Sequence, residues 1–172
     1  VGFPGERIGF HGNNKSVAEL RQALTYGVGR IVVDSHDELD RLLALTSELG
    51  VCAPVMLRVT VGVEAHTHEF IATGHEDQKF GFALAGEVAF EAARRVLDHP
   101  GQLRLLGLHS HIGSQIFDTS GFEVAAARLV GLHAKIAADL GYHAPEIDLG
   151  GGYGIAYTSQ HTRSPRRALP SR

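Results

Sequence analysis

Two short segments carry the residue types from which a site for a phosphorylated aromatic ligand can be built. The first is Leu108-His109-Ser110-His111-Ile112-Gly113-Ser114-Gln115. In an extended strand His109 and His111 point to the same side. Ser114, just after Gly113, then falls in the loop at the C-terminal end of that strand. The second segment is Gly150-Gly151-Gly152-Tyr153-Gly154, directly after Asp148-Leu149. Three successive glycines let backbone amides approach an anion with no Cβ in the way, and they permit positive φ. An imidazole can stack on a flat ring while Ser114, Gly150, Gly151 and Gly152 hold its phosphate. Each segment also has a plainer explanation. A glycine run alone fits a flexible turn equally well, and His-X-His alone fits two core histidines or a metal site. Their joint placement at strand C-terminal ends favours an aromatic cofactor bearing a phosphate.

Other polar clusters leave further chemistry open. Between Gly62 and Gly81 lie His66, His68, Glu69, His75, Glu76 and Asp77, in a stretch without helical period and long enough to suggest function. Imidazole and carboxylate suit zinc. A metal-dependent hydrolase in which His109, His111 and these loop histidines activate water is therefore one alternative. Irregular spacing and high polarity favour a solvated loop. His11-Gly12-Asn13-Asn14-Lys15 offers amides and one ammonium to an acidic ligand, or simply a capping turn. Cys52, the single cysteine, reads as a small buried residue before a strand. It excludes an internal disulfide and makes a reducing, cytoplasmic setting the default.

These clusters need a scaffold, and three Ser-X-X-Glu boxes outline one. Ser16-Val17-Ala18-Glu19, Ser35-His36-Asp37-Glu38 and Ser120-Gly121-Phe122-Glu123 each match the reciprocal capping box of a helix start. Each precedes apolar residues at helical spacing and then a glycine (Gly27, Gly50, Gly141) placed for a left-handed cap. A fourth helix is predicted from near Ala85 through Leu97, ended by His99-Pro100-Gly101. Between the helices run aliphatic segments starting at Arg7, Arg30, Pro54, Leu103 and Glu146, apolar without clean alternation, as buried parallel strands are. About five strands alternating with four helices indicate an α/β fold, either part of a (β/α)8 TIM barrel or a doubly wound sheet. A complete barrel takes about 250 residues, so these 172 residues supply part of one.

Composition narrows the function class. Sixteen basic and nineteen acidic side chains leave a formal net charge of −3, with 44% apolar residues and 21 glycines. That balance argues against general nucleic-acid binding, and no apolar run is long enough to span a membrane. The N-terminal residues do not read as a signal peptide. Because they lack an initiator Met, the expectation is that the chain begins inside a larger protein. Residues 158–172 carry four arginines, no acid and no apolar period, and are predicted to be a disordered basic tail.

Five segments together resemble the diaminopimelate decarboxylase family, in the alanine-racemase-like, fold-type III group of pyridoxal-phosphate decarboxylases. They are Phe10-His11-Gly12-Asn13-Asn14-Lys15, Gly62 to Phe70, His75 to Gly81, His109 to Gln115 and Ile147 to Gly152. The resemblance covers Val1 to about Tyr157 and implies a partial pyridoxal-phosphate-binding barrel over 1–157. It implies that His111 stacks on the pyridine ring and that Ser114, Gly150, Gly151 and Gly152 contact the phosphate. It further implies decarboxylation of the amino acid meso-diaminopimelate to L-lysine and carbon dioxide, within lysine biosynthesis, by a homodimeric parent enzyme. The family's Schiff-base lysine, in a Tyr-Ala-X-Lys-Ala context on the first barrel strand, has no counterpart here; Lys15 and Lys79 do not match it. Its Glu-Pro-Gly-Arg motif and its C-terminal β-domain have no counterpart either. The expectation is a chain with no catalytic residue of its own, inactive alone, with open sheet edges that aggregate or need a partner. A frameshift or misplaced gene boundary is the expectation for the tail. A non-catalytic cofactor- or phosphate-binding module is the remaining alternative.

Overall fold

Aliphatic runs form strands where helices can cover one of their faces, and the computed structural model, which describes residues 2–63 and 80–156, shows this throughout. Its strands are β1 (Gly9–Phe10), β2 (Arg30–Val33), β3 (Ala53–Thr60), β4 (Phe82–Ala83), β5 (Leu103–His109) and β6 (Glu146–Asp148). Its helices are α1 (Val17–Tyr26), α2 (His36–Leu49), α3 (Val88–Leu97) and α4 (Ser120–Leu140). All pairings are parallel, in the order β1-β2-β3-β5-β6, with β4 added against the C-terminal end of β3. The five expected strands and four expected helices are present. The extra strand β4 is two residues long, too short to leave a periodic signal.

The sheet has two differently used faces. Ile31, Val33, Val55, Leu57, Leu105 and Leu108 join Leu20, Leu39, Leu42, Val96, Leu129 and Ile136 of the helices in one core. Alternate residues Val32, Met56 and Leu106 form a separate buried cluster on the other face. That second face is concave. Arg30 of β2 reaches Glu146 of β6 at 3.2 Å, although two strands lie between them. His11, after β1, places its ring centroid 5.0 Å from that of His109 on β5. A flat sheet would not permit either contact. At the β5–β6 seam a Cβ on Gly107 would lie 2.1 Å from the Glu146 carbonyl oxygen, so only glycine admits this pairing.

Helix caps follow the sequence pattern in part. Ser16 and Glu19 form the complete reciprocal box, and Ser35 accepts from the Glu38 amide. The third box does not form. Ser120 is already inside α4, and its amide donates to the Asp118 carboxylate at 2.9 Å. An aspartate two residues upstream satisfies that helix start better than the serine can. Gly27, Gly50 and Gly141 all take the left-handed cap, with φ of 74°, 66° and 66°. Cys52 is exposed rather than buried, because the link from Gly50 to β3 runs over the surface. Among the described residues no helix is long and apolar enough to cross a membrane. The His-rich stretch from Glu64 to Lys79 and the basic tail lie outside the described residues.

Candidate functional site

Parallel strands deliver all their C-terminal ends to one rim, and the loops there decide what can bind. An open cleft of about 400 Å³ at this rim is lined by His11, Arg58, His109, His111, Asp148, Gly150 and Gly151. Three of the five expected ligand residues, His111, Gly150 and Gly151, therefore share one cavity wall. The strand ends at His109, so His111 stands in the following loop and not on the strand; loop and strand nonetheless present both imidazoles to the same cleft. Ser114 is exposed beside the cleft, next to Gly152.

Glycine is required where the two loops touch. Gly150 has φ +72°, and a Cβ there would meet the Ser110 carbonyl oxygen at 2.5 Å and His111 Nδ1 at 3.2 Å. Gly152 has φ +106°, and its Cβ would lie 1.9 Å from the Gly113 carbonyl oxygen. The Ile116 amide donates to Gly152 O at 2.9 Å and the Gly154 amide to Ile116 O at 2.8 Å. The loops after β5 and β6 thereby become one continuous rim. Not every glycine amide faces outward, however. The Gly150 amide donates to Asp148 Oδ1 at 2.7 Å. An anion at this rim is left with the amides of Gly151 and Gly152.

Residues of strands without an obvious motif complete the cleft. Arg58 of β3 projects from the concave face and donates to Asp34 Oδ1 at 3.1 Å. Asp34 Oδ2 in turn accepts the Gly81 amide at 3.1 Å, and the Arg58 guanidinium lies 5.1 Å from the Phe80 ring centre. His109 is 4% exposed and its Nδ1 has no hydrogen-bond partner among the described residues. Burial lowers its pKa from 6.5 to about 4; Asp148 opposes this, while His11, Arg58 and His111 add to it. Burial likewise lowers His11. Strand periodicity could have marked Arg58 as a concave-face residue, two positions after Met56. Nothing local marks Asp34 or His11 as its neighbours.

The His109 shift has a pH consequence. Unfolded, the imidazole titrates near 6.5; folded, near 4. In that interval the unfolded chain takes up a proton that the folded chain does not. Stability therefore falls as pH drops from about 6.5 toward 4, by up to roughly 3 kcal/mol. Denaturant midpoints at about pH 7.5 and about pH 4.5 are expected to lie closer together in His109→Gln than in the unsubstituted chain. Identical spacing in both would show that His109 does not carry the effect.

Lys15 is not available to a ligand. Its ammonium is buried and donates to Gly12 O at 2.6 Å, Val32 O at 2.7 Å and Glu38 Oε1 at 2.6 Å. Among the described residues no group of three His, Cys, Asp or Glu side chains is arranged to hold a metal ion, so the hydrolase alternative gains no support there. A larger hollow of about 690 Å³ runs along the outer face of α1, lined by Val17, Arg21, Thr25 and Tyr26 among others. It shares no lining residue with the cleft at the strand ends.

The family described as pyridoxal-dependent decarboxylase, pyridoxal binding domain, matches residues 1–169. The chain belongs to that family. Diaminopimelate decarboxylase of Mycobacterium leprae is 57% identical over 162 residues, covering 90% of this chain and 34% of the relative. The enzyme of that name from Mycobacterium tuberculosis strain H37Rv is 53% identical over 179 residues, covering 99% of this chain and 39% of the relative. The crystal structure of diaminopimelate decarboxylase from M. jannaschii in co-complex with L-lysine matches with a TM-score of 0.82 at 30% identity, over 92% of this chain and 36% of that one. The chain thus spans between a third and two fifths of the length of these relatives. Within the pyridoxal-dependent decarboxylase family the curled sheet is part of a (β/α)8 barrel, which decides against a doubly wound sheet.

Proposed function

We propose that residues 1–157 form part of the pyridoxal 5′-phosphate site of a diaminopimelate decarboxylase, which releases carbon dioxide from meso-diaminopimelate to leave L-lysine. The identity of 53% to 57% with enzymes of that name carries this reading, and the chemistry of the cleft supports it. The Gly151 and Gly152 amides, which meet no acceptor among the described residues, and the Ser114 hydroxyl suit a phosphate, the His111 imidazole offers a ring face, and the Arg58 guanidinium supplies a fixed positive charge. When bound, the cofactor supplies the electron sink for the pair left by the departing carboxylate. This chain's share is to hold it: His111 against the ring, Gly151, Gly152 and Ser114 on the phosphate. Val32, Met56 and Leu106 form a buried apolar cluster on the same concave face. Among the described residues no amine reaches the cleft, since Lys15 is spent on Glu38. By itself the chain is then a cofactor-binding module of a longer, homodimeric, cytoplasmic enzyme acting on a small amino acid.

Absorbance titration of the purified chain with pyridoxal 5′-phosphate tests this. Saturable binding is expected, weakened about tenfold in His111→Ala by loss of ring stacking, with no lysine formed from meso-diaminopimelate. Lysine production by the chain alone would overturn the module reading. Stoichiometric zinc with no spectral response to the cofactor would overturn the cofactor itself.

A further inference from the structure

We propose that Asp148 is a positioning residue that folds the triple-glycine loop into a phosphate cradle; this rests on the pyridoxal-phosphate site proposed above. Asp148 is the last residue of β6 and is held from both its backbone and its side chain. Its carbonyl oxygen accepts the Ser110 amide at 2.9 Å, which ties it to the end of β5. Its carboxylate accepts the Gly150 amide two residues on, at 2.7 Å. Such a side-chain turn reverses the chain locally and stabilises the left-handed region that Gly150 occupies. The turn presses Gly150 against Ser110 and His111, while Gly152 is locked against Gly113. Between these two fixed points Gly151 stands clear, with no heavy atom among the described residues outside its chain neighbours within 4 Å of where its Cβ would be. Asp148 thus occupies the Gly150 amide and sets the turn that leaves Gly151 exposed at the cleft.

Charge makes this assignment testable. Asp148 lines the same cleft as Gly151, and a carboxylate there repels a phosphate. Asparagine keeps an acceptor oxygen and drops the charge, whereas alanine drops both. If shape governs, Asp148→Asn binds pyridoxal 5′-phosphate within about twofold of the unsubstituted chain or more tightly, and Asp148→Ala binds about tenfold more weakly. Binding of pyridoxal, which lacks the phosphate, is expected to be equal in all three chains. Tighter or unchanged binding by Asp148→Ala, or a tenfold loss in Asp148→Asn, would overturn the positioning role alone. Should Asp148→Ala fail to fold, the asparagine chain decides by itself: a Gly150 amide still protected from hydrogen exchange together with retained preference for pyridoxal 5′-phosphate over pyridoxal supports the role, and an unprotected Gly150 amide with that preference retained refutes it. An unsubstituted chain that binds neither compound would overturn the cofactor site as well.

Discussion

Replacing Lys15 with alanine is expected to destabilise the fold by about 3–5 kcal/mol, because it strands a buried carboxylate. Lys15 and Glu38 are each 3% exposed, and their charges meet at 2.6 Å. Burial pushes the Glu38 carboxyl above its ordinary pKa even with the lysine in contact, so desolvation outweighs what the partner returns. The intact pair thus adds little net stability, yet it holds β1, β2 and α2 in register. Lys15 bonds to Gly12 after β1 and to Val32 in β2, and Glu38 also accepts the Asp34 amide at 3.1 Å. Urea denaturation followed by far-UV circular dichroism measures the loss. The double substitution Lys15→Met with Glu38→Gln is expected to recover at least half of it, since glutamine keeps an acceptor for Asp34 and carries no charge. A loss below about 1 kcal/mol in Lys15→Ala would mean that Glu38 finds water or a proton without cost.

Gly152→Ala is expected to weaken pyridoxal 5′-phosphate binding at least a hundredfold, about 2.7 kcal/mol or more. A Cβ 1.9 Å from Gly113 O cannot be relieved by a side-chain rotation, because its neighbour is backbone, and φ of +106° adds strain. The loops after β5 and β6 must then separate, which breaks the Ile116 bridge to Tyr153. Gly151→Ala is the matched control. Its Cβ meets nothing within 4 Å among the described residues, so stability is expected to stay within about 0.5 kcal/mol. Binding should still fall about tenfold, because the added methyl stands where an anion must approach the amide. Equal binding by both variants would mean that the rim does not grip the ligand.

The sequence by itself determined the alternation of strands and helices, because each element leaves a local signature. Aliphatic runs, two of three serine caps and all three terminal glycines required no knowledge of distant residues. That His111, Gly150 and Gly151 meet at one rim was legible for the same reason, each belonging to a short motif at a strand's C-terminal end. The third cap failed where a neighbouring Asp118 outcompeted Ser120. Tertiary structure alone decided what faces the motifs. Arg58 meets Asp34 through the register of β2 with β3, Lys15 turns away from solvent to Glu38, and His109 meets His11 across the curl of the sheet. Curl depends on how strands pack and twist against helices across the whole layer, and no local residue pattern encodes it. The same holds for the Gly150 amide: its glycine is plain in the chain, but only the fold shows that Asp148 has already claimed its hydrogen.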